Sequence, residues 1–225
     1  MEMMQMWAGS CDVSTPAPSI PYFPAVLDTN KALEEWLPCI KTADWIAIDT
    51  EADSLHAYPE KLCLLQLTAD AGDFLIDPLS SELDLTPLWS ELAGRELILH
   101  GADYDLRLLK KDFNFSPDTL FDTMIAARLL GVEKFGLSNL VEQFLDVSLE
   151  KGPQKANWAL RPLTPRMEEY ARNDTRYLKP LSDLLRAQLE AKGRISWHAE
   201  VCARLISDCS VLPTPDPDRL WQIKG

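Results

Sequence analysis

The order of apolar runs along this 225-residue chain predicts an α/β domain, a mixed central β-sheet flanked by helices. Three runs, WIAID (45–49), LCLLQLT (62–68) and DFLID (73–77), follow one another with turn residues between them, as consecutive strands of one sheet do. Beyond them strand and helix patterns alternate, which adds parallel pairing to the initial meander. The length suits one such domain, placed at residues 22–211, with a short appendage.

Residues 1–21 carry no hydrophobic period and read as a loosely held lead-in. Asp28 or Thr29 can cap a first helix whose Leu33, Trp36, Leu37 and Ile40 recur at helical spacing. The three strand runs come next. LILH (97–100) reads as a further buried strand, and DYDLRLLKKD (103–112) as a helix with Asp103 at its N-cap and Leu106 and Leu109 inward. Asp122 can cap a helix that stops at Gly131, and Ser138 can cap the next. From Thr164–Pro165 a helical pattern runs to Gly193, and Pro180 must kink or break it because proline removes a backbone donor. A last helix spans roughly 196–209. The segment 212–225 is punctuated by prolines and reads as a linker.

Composition excludes some functions. Apolar residues make up 46% and charged residues 25%, which is ordinary for a globular enzyme. No apolar run reaches the roughly 18–20 residues needed to span a bilayer, and MEMMQMWAGS lacks the basic start and long apolar stretch of a signal peptide. Five cysteines with no CxxC pair point to reduced thiols in the cytoplasm. A net charge of −13 excludes a protein that grips nucleic acid over its whole surface. Charge is uneven, however: residues 151–176 hold six basic side chains against three acidic ones, a local net of +3.

Asp49 and Glu51 close the first strand run. Residues i and i+2 of a strand share a face, so both carboxylates can project together past its end. Such a pair suits a divalent cation with a preference for hard oxygen ligands, Mg²⁺ or Mn²⁺; otherwise it is two solvated acids in a loop. Asp105 follows the LILH strand in the first helical turn, near the strand's carboxyl edge where α/β sheets place ligands. His100 ends that strand, as a core histidine or a substrate contact. Tyr170 and Asp174 stand at i and i+4 on one helix face.

Taken together, these residues resemble a known family, the DEDD exonucleases in their tyrosine-containing branch, and within it ribonuclease D. DTEADSL is similar to the first exonuclease motif, HGADYDLRLL to the second and YARND to the third. LFDTMIAARLLG, GLSNLVEQFL and KANWALRPLTPRMEEYARNDTRYLKPL resemble ribonuclease D segments in the same order, so the likeness covers about residues 22–193. The histidine-containing branch has its histidine five residues before the last aspartate. Here that position is Glu169, and Tyr170 occupies the tyrosine branch's position. One departure is Asn157 before Trp158, where ribonuclease D often has an acid.

The resemblance implies a ribonuclease H-like fold and 3′→5′ removal of nucleoside 5′-monophosphates from ends of single-stranded or structured RNA, with DNA the alternative. It implies that Asp49, Glu51, Asp105 and Asp174 hold two Mg²⁺ or Mn²⁺ ions and that Tyr170 assists the attacking water. Leu55 matches the leucine of the first motif and would wedge against the terminal base, or else pack in the core. Lys155, Arg161 and Arg172 are candidates for phosphate contacts. Ribonuclease D continues into helical nucleic-acid-binding domains, which makes 212–225 an expected linker to one. The competing readings are an inactive nuclease fold that binds nucleic-acid ends or partner proteins, and a metal phosphoesterase acting on small molecules.

Overall fold

The computed structural model describes residues 26–212; the lead-in to residue 21, and all but the first residue of the proline-punctuated tail, lie outside them. The order of elements is α1 (Asn30–Thr42), β1 (Ile46–Ala52), β2 (Leu62–Ala69), β3 (Gly72–Ile76), α2 (Thr86–Leu92), β4 (Glu96–Leu99), α3 (Asp103–Phe113) and β5 (Thr119–Asp122). Five helices follow: α4 (Thr123–Leu130), α5 (Leu137–Leu145), α6 (Pro165–Arg176), α7 (Leu178–Ala191) and α8 (Ile195–Ser210).

The five strands form one mixed sheet in the order β3-β2-β1-β4-β5. β1, β2 and β3 are an antiparallel meander, whereas β4 and β5 run parallel to β1. The carboxyl ends of β1 and β4 therefore lie at one edge. β1 alternates in burial environment as its period of two requires. Ile46 and Ile48 join the core beneath α1, α2, α3 and α8, while Ala47 packs with Ile98 of β4 and Leu178 of α7. α6 lies across β1, β2 and β3 on the Ala47 side, where Met167 and Ala171 pack with Leu64, Leu75 and Trp158.

The first helix starts as read, and local choices depart from the sequence reading in four later places. Thr29 caps α1, its hydroxyl accepting from Ala32 N at 3.3 Å. Ala102, not Asp103, precedes α3, because the N–H groups of Gly101 and Ala102 are taken by the buried carboxylate of Asp122 at 3.1 and 2.8 Å. Asp103 instead pairs with Arg107 one turn on, at 3.0 Å. Gly136, not Ser138, is the N-cap of α5. The long helix breaks at Tyr177 rather than at Pro180. A proline ring clashes with the carbonyl four residues back, here that of Arg176, while Pro180 itself sits harmlessly in the first turn of α7. Finally, α2 and β5 carried too few residues to show a period.

None of the described helices is long and apolar enough to cross a membrane.

Candidate active site

β1 runs on to Ala52, so Asp49 and Glu51 lie within it rather than beyond its end. Both face α6, which presents Asp174 to them. One carboxylate oxygen from each of Asp49, Glu51 and Asp174 lies within 4.8 Å of the other two. Asp105 joins from the first turn of α3. It is buried, and Thr50 Oγ1 donates to its Oδ1 at 2.5 Å. The turn that delivers it is fixed by Gly101, whose φ of +70° suits glycine, and by the Asp122 carboxylate described above. Asp122 caps α4 as the sequence predicted, accepting from Met124 and Ile125 N, so one buried acid ties β4, α3 and α4 together.

Four carboxylates this close resist ionisation. Burial first, then the charges of Asp105, Asp174 and Glu51, hold the Asp49 carboxyl well above the usual range. Burial and the same kind of repulsion push Glu51 up to about 9. Asp174 rises to about 7, mainly by burial and against the hydrogen bond from Tyr170 that lowers it. Asp105 rises to about 6, again by burial, with the Thr50 bond opposing. Converging hard oxygens with suppressed charge fit divalent cations as counter-charges.

These shifts give a pH prediction for the metal-free protein. Folded-state pKa values raised above the unfolded ones mean that the native state binds more protons, so stability falls as pH rises. The fall begins near the ordinary carboxylate range and continues through about 6, 7 and 9. In chelator, Tm is expected to decrease from pH 5 to 9, and the rise in Tm on adding Mn²⁺ to grow over the same interval. A chelated Tm that climbs with pH would contradict the arrangement of the acids.

Tyr170 stands one turn before Asp174 on α6 and hydrogen-bonds both Asp174 and the side chain of Gln154. Burial, then the Asp174 charge, lifts its hydroxyl far above the usual tyrosine range, so it stays protonated. Gly152 lies flat against its ring: a Cβ there would stand 1.5 Å from Tyr170 Cδ2. A cleft of about 910 Å³ opens beside it, with Gln154, Lys155, Tyr170, Asn173 and Asp174 among its lining residues.

A family model described as 3′-5′ exonuclease matches residues 24–190. The chain belongs to the 3′-5′ exonuclease family. Ribonuclease D of Zymomonas mobilis is 39% identical over 186 residues, 81% of this chain and 47% of that protein. The crystal structure of Escherichia coli RNase D, described as an exoribonuclease involved in structured RNA processing, superimposes with a TM-score of 0.79 at 30% identity, covering 88% of this chain and 55% of that one. Brucella melitensis NrnC with bound Mg²⁺ gives a TM-score of 0.65 at 29% identity, covering 76% and 85%. The chain spans about half the length of the curated relatives it matches. The resemblance to ribonuclease D and the ribonuclease H-like fold are thereby established.

The remaining sequence candidates in this exonuclease separate by their partners. Leu55 is 67% exposed on the loop after β1, which removes the core-packing reading. That loop is anchored by Asp53, which the sequence reading passed over: it is buried, pairs with Lys61, and accepts from Lys61 N at 2.9 Å. Lys155 is exposed in the cleft wall, and its carbonyl contacts His56 Nε2 at 3.3 Å, joining the two loops that flank the acids. Arg161 is engaged elsewhere. Its guanidinium clamps Asp77 at 2.5 and 2.7 Å and donates to the carbonyls of Cys63, Trp158 and Leu160. Arg172 pairs with Glu168 and donates to the Asp73 carbonyl. Both arginines, with Arg176 on Asp73, hold the 151–176 segment to the sheet, so much of its positive charge is spent inside the protein. His100 bonds Thr123 Oγ1 at 2.9 Å, and burial lowers its pKa, so the neutral core histidine is what the geometry supports.

Proposed function

We propose that this chain hydrolyses the terminal phosphodiester of RNA from the 3′ end, releasing nucleoside 5′-monophosphates. The observation that carries the reading is the convergence of Asp49, Glu51 and Asp174 within 4.8 Å, with Asp105 alongside. The exoribonuclease description of the E. coli relative supports RNA over DNA as substrate.

Asp49, Glu51 and Asp174 would hold one divalent cation, and Asp49 with Asp105 a second. Bound there, such ions lower the pKa of a water and neutralise charge on the leaving oxygen. The side chains do the rest. Thr50 holds the Asp105 carboxylate in place by a hydrogen bond. Protonated Tyr170 orients the attacking water by hydrogen bonding, since its raised pKa makes it a poor base. Leu55, exposed at the end of a pinned loop, is placed to wedge against the terminal base, and Lys155 to meet the backbone phosphates. Reduced cysteines, four of them free in the described residues, favour the cytoplasm.

The test is incubation with single-stranded and 3′-overhang RNA and DNA oligomers plus Mg²⁺ or Mn²⁺, resolved at single-nucleotide steps. Shortening from the 3′ end, slowed by a 3′-phosphate and faster on RNA, is expected. Internal cutting of a circular strand as the main outcome would overturn the reading, and hydrolysis confined to small nitrophenyl esters would point to a small-molecule phosphoesterase.

A further inference from the structure

Gln66 is fully buried on β2, yet neither its Oε1 nor its Nε2 has a hydrogen-bond partner among the described residues. An amide that leaves water without a partner works against folding, so its presence in the interior requires a reason. Its surroundings supply one. In the sheet register Gln66 lies directly opposite Asp49 on one side and Leu75 on the other. Directly opposed residues in an antiparallel pair share a face, with Cβ atoms about 5 Å apart. The next residues of β2 on that face are Leu64, which is apolar, and Thr68, which is committed to Thr175 Oγ1 at 2.7 Å and Asp73 Oδ1 at 2.9 Å. Ala171, from the helix packed above, is apolar too. The polar residue directly opposite the amide in the sheet is Asp49, and α6 above brings Asp174 and Thr175 to the same face, Thr175 being taken by Thr68.

We propose that Gln66 is a positioning residue of the metal site, whose amide donates to Asp49 and fixes which oxygen that carboxylate offers to a cation. Once a cation draws one oxygen, the other carries charge in a buried setting and takes the amide N–H as its partner. The arrangement is the carboxylate version of a common device, in which groups that hydrogen-bond a metal ligand set its orientation and its affinity. The inference rests on reading the acidic cluster as a cation site.

Gln66→Met keeps the length and volume and removes the amide, and Gln66→Leu provides a second apolar replacement. Mn²⁺ binding is measured by calorimetry without substrate, and Tm in chelator. Both variants are expected to bind Mn²⁺ roughly 10- to 100-fold more weakly, with a chelated Tm equal to or above that of the wild type. Unchanged Mn²⁺ affinity in the variants overturns the proposal. So does a chelated Tm well below the wild type's, or failure of both to fold, since the amide would then be holding the metal-free core together. A wild-type protein that takes up no Mn²⁺ overturns the cation site and this inference with it, whereas wild-type uptake matched by the variants overturns this inference alone.

Discussion

Asp49→Asn is expected to cut turnover by roughly 10³-fold or more, the largest loss available from one atom's change at this site. The reason is position. Asp49 converges with Glu51 and Asp174 and also feels the charge of Asp105, and it is the ligand that the family resemblance assigns to both proposed ions. A 10³-fold loss corresponds to about 4 kcal/mol of transition-state stabilisation. Stability should move the opposite way. In chelator above neutral pH the substitution removes one of four mutually repelling acids, so the variant's Tm should exceed the wild type's, and adding Mn²⁺ should reverse that order. Turnover assays with paired melting curves check both. Undiminished turnover would show that the metal site lies elsewhere.

The acids were legible in the sequence because each sits on a local pattern. Asp49 and Glu51 show the period of a strand, Asp105 falls in the first turn after a buried strand, and Tyr170 and Asp174 are one helical turn apart. What the sequence could not show is what each polar group spends itself on. Arg161 and Arg172 stand in a basic segment, yet their partners are Asp77, Asp73 and Glu168, most of them far away along the chain. His100 is occupied by Thr123 and Lys155 is exposed in the cleft wall, although both are equally plain polar residues when read in line. Non-local clamps were invisible for the same reason. Asp122 was read as a helix cap, which it is, but its bonds to Gly101 and Ala102 are what place Asp105. The mixed sheet was readable from the spacing of its longer strands. β5, with four residues, left no alternation to detect, and it was the docking of α8 and the parallel register with β4 that made it a strand.

Tyr170→Phe should lower kcat by about 10²–10³ with little change in KM, separating the tyrosine's role from that of the acids beside it. The substitution removes one hydroxyl and keeps the ring against Trp158, at a centroid distance of 6.1 Å, so fold and Mn²⁺ affinity should barely move. Asp174→Asn, one turn along the same helix face, should instead weaken Mn²⁺ binding as well as turnover. Gly152 provides an independent route to the same step. Its φ is not in the left-handed region, so the residue is small there for space and not for backbone conformation: the Tyr170 ring fills the place of a Cβ. Gly152→Ala must push either the loop or the ring aside, and a hydroxyl displaced by about 1 Å loses most of its orienting effect. Its kcat should therefore fall towards that of Tyr170→Phe, and the double variant should be no slower than the slower single one, because both changes remove one contribution. Wild-type turnover in Tyr170→Phe at saturating metal and substrate would reduce Tyr170 to a packing residue. Additive losses in the double variant would show that Gly152 acts through something other than the tyrosine.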